Sequence, residues 1–116
     1  MLFRSEMERI FKQAGLAPPD AATLQTLINA PAGIVDRISG LLVRQKTLVK
    51  LDALLFHADA LAQLKADVRA LKPNARVDVP AFKERYGISR KYAIPLLEYL
   101  DRERITRRVG DARVVL

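Results

Sequence analysis

The stretch from Ser89 to Leu116 reads S-R-K-Y-A-I-P-L-L-E-Y-L-D-R-E-R-I-T-R-R-V-G-D-A-R-V-V-L. It sets three kinds of segment in an order that few architectures accommodate. Ser89 is an N-cap residue for a helix whose first turn carries Arg90 and Lys91. A strand from Ile105 to Val109 follows, with Arg107 and Arg108 on it. Gly110-Asp111 then supplies a tight turn into an apolar strand, Ala112 to Leu116, that carries Arg113. A helix feeding directly into a hairpin, with cations on both, aims positive charge at a phosphate backbone.

The rest of the chain fits the same scheme. Ser5–Ala14 places Met7, Ile10, Phe11 and Ala14 at helical spacing, and Gly15 closes that helix. Asp20 is an N-cap for Ala21–Ala30, and a third helix over Ala32–Arg44 aligns Ile34, Ile38, Leu41 and Leu42. Two short strands, Thr47–Leu51 and Leu54–His57, flank Asp52-Ala53. The order then recurs. Ala58–Leu71 is amphipathic through Leu61, Leu64, Val68 and Leu71; Arg76–Val79 supplies a short strand; and Asp78 or Val79-Pro80 opens a helix that runs through Tyr86 to Gly87. Three helices followed by a small hairpin make a winged helix. The expected fold is mainly α with small β-hairpins: two tandem winged-helix modules, residues 1–57 and 58–116.

Charge separates the two modules. The chain of 116 residues has 20 Lys+Arg against 13 Asp+Glu, a net +7. Residues 1–57 hold 7 basic and 5 acidic groups, whereas residues 58–116 hold 13 and 8. An acidic partner is therefore expected at the second module. Cysteine is absent, so disulfides and thiolate metal sites are excluded. The single His57 builds no metal cluster and reads as a strand-end residue. There is no glycine-rich phosphate loop with a following Lys-Ser/Thr and no catalytic constellation, so neither an enzyme, a cofactor nor a metal is expected. No apolar run is long enough to span a bilayer, and the expectation is a cytoplasmic monomer with no membrane partner.

A more specific likeness runs from Phe82 to Asp111. Phe82-Lys83 with Tyr86-Gly87, then Ser89-Arg90-Lys91-Tyr92-Ala93-Ile94-Pro95-Leu96-Leu97-Glu98, then Asp101, and Thr106-Arg107-Arg108 with Gly110-Asp111 resemble the C-terminal end of the bacterial selenocysteine-specific elongation factors, the SelB family. That family has a GTPase body followed by four winged-helix modules, and this chain resembles the last two. The resemblance implies that the last module binds the selenocysteine insertion (SECIS) hairpin of mRNA, tethering the factor beside the UGA to be recoded on the ribosome. The GTPase activity of such factors has no counterpart in this sequence.

The residue chemistry agrees with that implication. Arg90 and Lys91 sit in a first helical turn, where free backbone N–H groups and the positive dipole end favour phosphate. A-form RNA hides its base edges in a deep, narrow groove, so reading must target a loop or bulge. Arg107 and Arg108 alternate sides on a strand, so only one is expected to face RNA squarely. Asp111 repels phosphate but accepts from guanine N1–H and N2–H, which suits an extruded guanine; Gly110-Asp111 also suits a plain hairpin turn. Tyr92 is placed for stacking on a flipped base, or for packing through its spacing to Leu96 and Tyr99. Pro95 removes a helical N–H and invites a bend. The RNA-contacting set is thus Arg90, Lys91, Tyr92, Arg107, Arg108, Gly110, Asp111 and Arg113.

Residues 1–57 carry only Arg37 and Arg44 on their third helix, with Arg44, Lys46 and Lys50 as a small basic patch, which suits a spacer. Two other classes compete: a DNA-binding winged-helix transcription regulator, which wants a dimer helix, and a winged-helix protein-interaction module, which wants an exposed apolar patch.

Overall fold

The computed structural model describes residues 2–116. Helices α1 (Leu2–Ala14), α2 (Ala21–Ile28) and α3 (Ala32–Arg44) precede strands β1 (Leu48–Leu51) and β2 (Leu54–His57). Helix α4 (Ala58–Arg69) leads to β3 (Arg76–Val77), α5 (Val79–Tyr86), α6 (Arg90–Arg102), β4 (Thr106–Val109) and β5 (Ala112–Val115). The chain divides into two compact units, one reaching to Leu61 and the other beginning at Ala62, so the division lies within α4. Hydrogen bonds from backbone amides tie the first turn of α4 to the first unit: the Ala58 amide donates to the Thr47 carbonyl at 2.9 Å, and the Asp59 amide to the His57 side chain at Nδ1, 3.0 Å away.

In the first unit, Met7 and Phe11, Leu24 and Ile28, Val35, Ile38 and Leu42, and Leu48 form one apolar cluster. Each large side chain withdrawn from water contributes about 1.5–3 kcal/mol. The core stripe of α3 is Val35–Ile38–Leu42, rotated from the expected Ile34–Ile38–Leu41–Leu42; Ile34 and Leu41 are only half-buried. Asp20 caps α2 by accepting from the Thr23 amide at 2.8 Å. Strands β1 and β2 pair antiparallel, with Leu51 opposite Leu54, which leaves Asp52-Ala53 as a two-residue loop. His57 ends β2 and is buried, as a strand-end residue.

The second unit is built on α6. Ala93, Leu96, Leu97 and Leu100 are fully buried, with Leu64 and Val68 of α4, Phe82 of α5, Ile105 and Val115 also in the interior. Asp78 caps α5 by accepting from the Ala81 amide at 2.8 Å, and Pro80 in the first turn costs no hydrogen bond. Gly87, at φ +62°, ends α5 in the left-handed conformation that its missing Cβ permits. Ser89 holds the N-cap position of α6, yet its hydroxyl makes no capping bond. Strands β3, β5 and β4 form an antiparallel sheet in that order. The register puts Val77, Arg113 and Arg108 in one row across the sheet and Arg76, Val114 and Arg107 in the next. Adjacent rows point to opposite faces, and this decides which arginine does what.

Candidate nucleic-acid interface

Helices α5 and α6 and the β4–β5 hairpin of the second unit converge on a groove of about 340 Å³ lined by residues that include Val79 and Pro80, Arg90, Ile94 and Glu98, and Arg108, Asp111 and Arg113. Arg90, Ile94 and Glu98 lie four residues apart, so α6 presents one vertical stripe to it. Arg108 and Arg113 reach it from paired positions on β4 and β5. Arg90 and Arg108 are exposed and form no salt bridge with any described carboxylate. Because Ser89 leaves the α6 N-terminus uncapped by its side chain, Arg90 stands where backbone N–H groups add to its own charge.

The two-residue turn between Val109 and Ala112 puts φ +62° at Gly110, the first central position, as a type II′ hairpin turn requires. A side chain there would meet nothing within 4 Å, so the need for glycine is conformational. The Gly110 carbonyl accepts from Arg108 Nε at 3.2 Å, which steadies the guanidinium beside Asp111. A carboxylate and a guanidinium on one rim can meet both edges of an extruded nucleotide, its base and its phosphate.

Arg113 is not the free cation the sequence led us to expect. It is only 6% exposed, and its Nε donates to Asp101 Oδ2 at 2.9 Å. Asp101 Oδ1 accepts from the buried Thr106 hydroxyl at 2.7 Å. This Asp101–Arg113–Thr106 cluster fastens the end of α6 to both wing strands. Its part is to hold the two sides of the groove together, since a guanidinium already committed to a carboxylate has little charge left for phosphate. Asp101 stood in the family-like string without a role; its partner lies twelve residues away on a strand whose register the sequence does not display.

The other expected residues lie outside the groove lining. Arg107 is exposed on the opposite face of the sheet, as strand alternation demands. Lys91 is exposed and places its Nζ 5.4 Å from the Tyr92 ring centroid. Tyr92 is half-buried, which favours the packing alternative over a free stacking platform. The structure therefore brings together Arg90, Arg108, Asp111 and Arg113, and separates Lys91, Tyr92 and Arg107 from them. In the first unit, Arg37, Arg44, Lys46 and Lys50 are exposed, but one cavity there, about 380 Å³, includes only Lys50 of these in its lining, and a second beside α2 includes none.

Residues 69–115 match the family described as elongation factor SelB, winged helix. Over 114 residues the chain is 33% identical to the selenocysteine-specific elongation factor of Desulfomicrobium baculatum, covering 97% of this chain and 18% of that protein. The chain thus spans less than a fifth of that relative's length. Among solved structures it is similar to the mRNA-binding domain of elongation factor SelB from E. coli, determined in complex with SECIS RNA. The TM-score is 0.71 at 22% identity, covering 95% of this chain and 96% of that one. A bacterial selenocysteine-specific elongation factor, EF-Sec, gives a TM-score of 0.73 at 24% identity over 98% of this chain and 18% of that one. These two likenesses carry the fold: small winged helices, mostly helical, with short antiparallel sheets. Residues 69–115 thus match a winged helix of elongation factor SelB, and nearly the whole chain is similar to a stretch of a selenocysteine-specific elongation factor.

Proposed function

We propose that this chain is the messenger-binding part of a selenocysteine-specific elongation factor and grips a SECIS hairpin in the groove between α6 and the β4–β5 wing. The observation that carries this reading is the pair of arginines without carboxylate partners, Arg90 and Arg108, on the groove that Asp111 also lines. The two arginines take the phosphates on either side of an extruded nucleotide. Asp111 accepts from the N1–H and N2–H of a guanine, and a bidentate pair of this kind is worth about 1–3 kcal/mol of base discrimination. Lys91 and Arg107 add charge from outside the groove. Residues 1–57 act as a spacer toward the rest of the factor and the ribosome.

The matched family is a winged helix, so GTP hydrolysis in such factors is assigned to other regions and this chain contributes binding. A DNA-binding regulator fits less well, because a groove between helix and wing with a carboxylate on its rim suits an extruded base better than a paired one. The test is a fluorescence-anisotropy titration against a short stem-loop with a bulged, guanine-bearing tip. The same stem with a scrambled loop and a matched DNA duplex are run beside it at physiological salt. Preference for the intact hairpin by tenfold or more is expected; equal weak binding to all three would overturn the proposal. Inosine in place of the bulged guanine removes the N2 amine and should weaken wild type but leave Asp111→Ala unchanged.

A further inference from the structure

The wing has a second face, and nothing in the groove accounts for it. Arg76 of β3, Val114 of β5 and Arg107 of β4 stand in one row across the sheet. They point away from the row of Val77, Arg113 and Arg108. Val109 lies two residues beyond Arg107 on this same outward face and is 51% exposed, one of three large apolar side chains exposed in this way among the described residues. Among the described residues neither Arg76 nor Arg107 finds a salt-bridge or side-chain hydrogen-bond partner, and no strand position on this face carries a carboxylate. Two arginines on strands two spacings or about 10 Å apart flank a half-buried valine, with a bare valine near the turn.

We infer that this outward face is a second RNA-contact surface, in which Arg76 and Arg107 each take a phosphate of a strand flanking the hairpin tip and Val109 packs against an unstacked base or sugar. The inference rests on the hairpin-binding reading and extends it from one face of the wing to both. Charge complementarity selects the occupant. A protein partner that buried this row would have to present a carboxylate to each of two separated guanidiniums around an apolar centre. A polyphosphate backbone meets both without being shaped to them, and its bases supply the apolar contact for Val109. A two-faced wing also explains why Arg107 and Arg108, adjacent in sequence and pointing opposite ways, both stay free of acidic partners.

The experiment uses the full chain and a SECIS-type stem-loop with single-stranded flanks, titrated at several salt concentrations. Arg76→Ala is expected to lower affinity about three- to tenfold and to reduce the slope of log K against log salt by about 0.7–0.9, the signature of one lost phosphate. Val109→Ser is expected to lower affinity without changing the slope. Neither side chain is part of the core, so both variants should melt as wild type does, and a melting curve checks this. If wild type prefers the hairpin over its scrambled form while Arg76→Ala matches it in affinity and slope, the outward face is not an RNA surface and only this inference falls. If wild type shows no preference, the hairpin-binding reading fails and this inference falls with it.

Discussion

The Asp101–Arg113 pair gives a prediction whose sign depends on which partner is removed. The Arg113 side chain is 7% exposed and that of Asp101 is 25% exposed. Asp101→Ala strands a guanidinium almost out of water and takes the acceptor from the Thr106 hydroxyl. Breaking a fully buried pair this way costs about 3–5 kcal/mol, and the water that reaches Asp101 lowers the figure here to about 2–3 kcal/mol. Arg113→Met replaces the stem with apolar volume and leaves Asp101 partly solvated and still bonded to Thr106. Its cost should be about 1 kcal/mol or less. The three tyrosines, Tyr86, Tyr92 and Tyr99, all belong to the second unit, and the chain has no tryptophan. Tyrosine fluorescence during thermal unfolding therefore reports this unit alone. Asp101→Ala should shift its thermal midpoint down by on the order of 10–20 °C and Arg113→Met by a few degrees, on a scale of about 4–8 °C per kcal/mol. Arg113→Met should also keep RNA affinity within about threefold, a change under 1 kcal/mol. Equal destabilisation by both variants, or an RNA loss in Arg113→Met as large as in Arg108→Ala, would refute the assignment of Arg113 as a fastening residue.

Arg90→Ala and Arg108→Ala should each lower hairpin affinity by about tenfold or more while leaving the urea midpoint nearly unchanged, as expected for exposed cations with no carboxylate partner among the described residues; wild-type affinity in either sinks the groove assignment. Gly110→Ala forces a Cβ into φ +62° with open space around it, so the cost should be strain alone, about 1–2 kcal/mol by denaturation, and a neutral result would mean that the turn relaxes freely. Burial raises the Tyr86 pKa above 10.0, the Arg85 guanidinium beside it opposing this. Because the unfolded chain ionises first, wild type should lose stability as pH rises from about 10 toward the folded value, and Tyr86→Phe should flatten that limb without loss at neutral pH; parallel alkaline curves would contradict it.

Much of the fold was legible because its signals are local. Asp20, Asp78 and Gly87 mark helix ends by side-chain or backbone chemistry that needs no distant partner, and Gly110-Asp111 fixes the wing turn. The α3 stripe was misplaced by one residue because Ile34 and Val35 are equally apolar, and only packing against α1 and α2 chooses between them. Ser89 sits at its expected position but makes no cap bond, a rotamer choice that sequence does not reveal. The arginines posed the harder problem. Arg107, Arg108 and Arg113 look alike in sequence, but strand register sends Arg107 outward and Arg108 to the groove, and buries Arg113 on Asp101. In sequence Arg76 is only the start of an expected strand over Arg76–Val79, of which the structure keeps Arg76–Val77 because Asp78 caps α5 and Val79 begins it; the significance of Arg76 comes from standing opposite Val114.

The most direct test of hairpin recognition by the α6–wing groove is amide chemical-shift mapping of the full chain on addition of the guanine-bulged stem-loop. The largest perturbations should fall at residues 89–94 and 107–111, with residues 1–57 nearly silent. Binding of the hairpin with those amides unmoved and the response elsewhere would contradict the account.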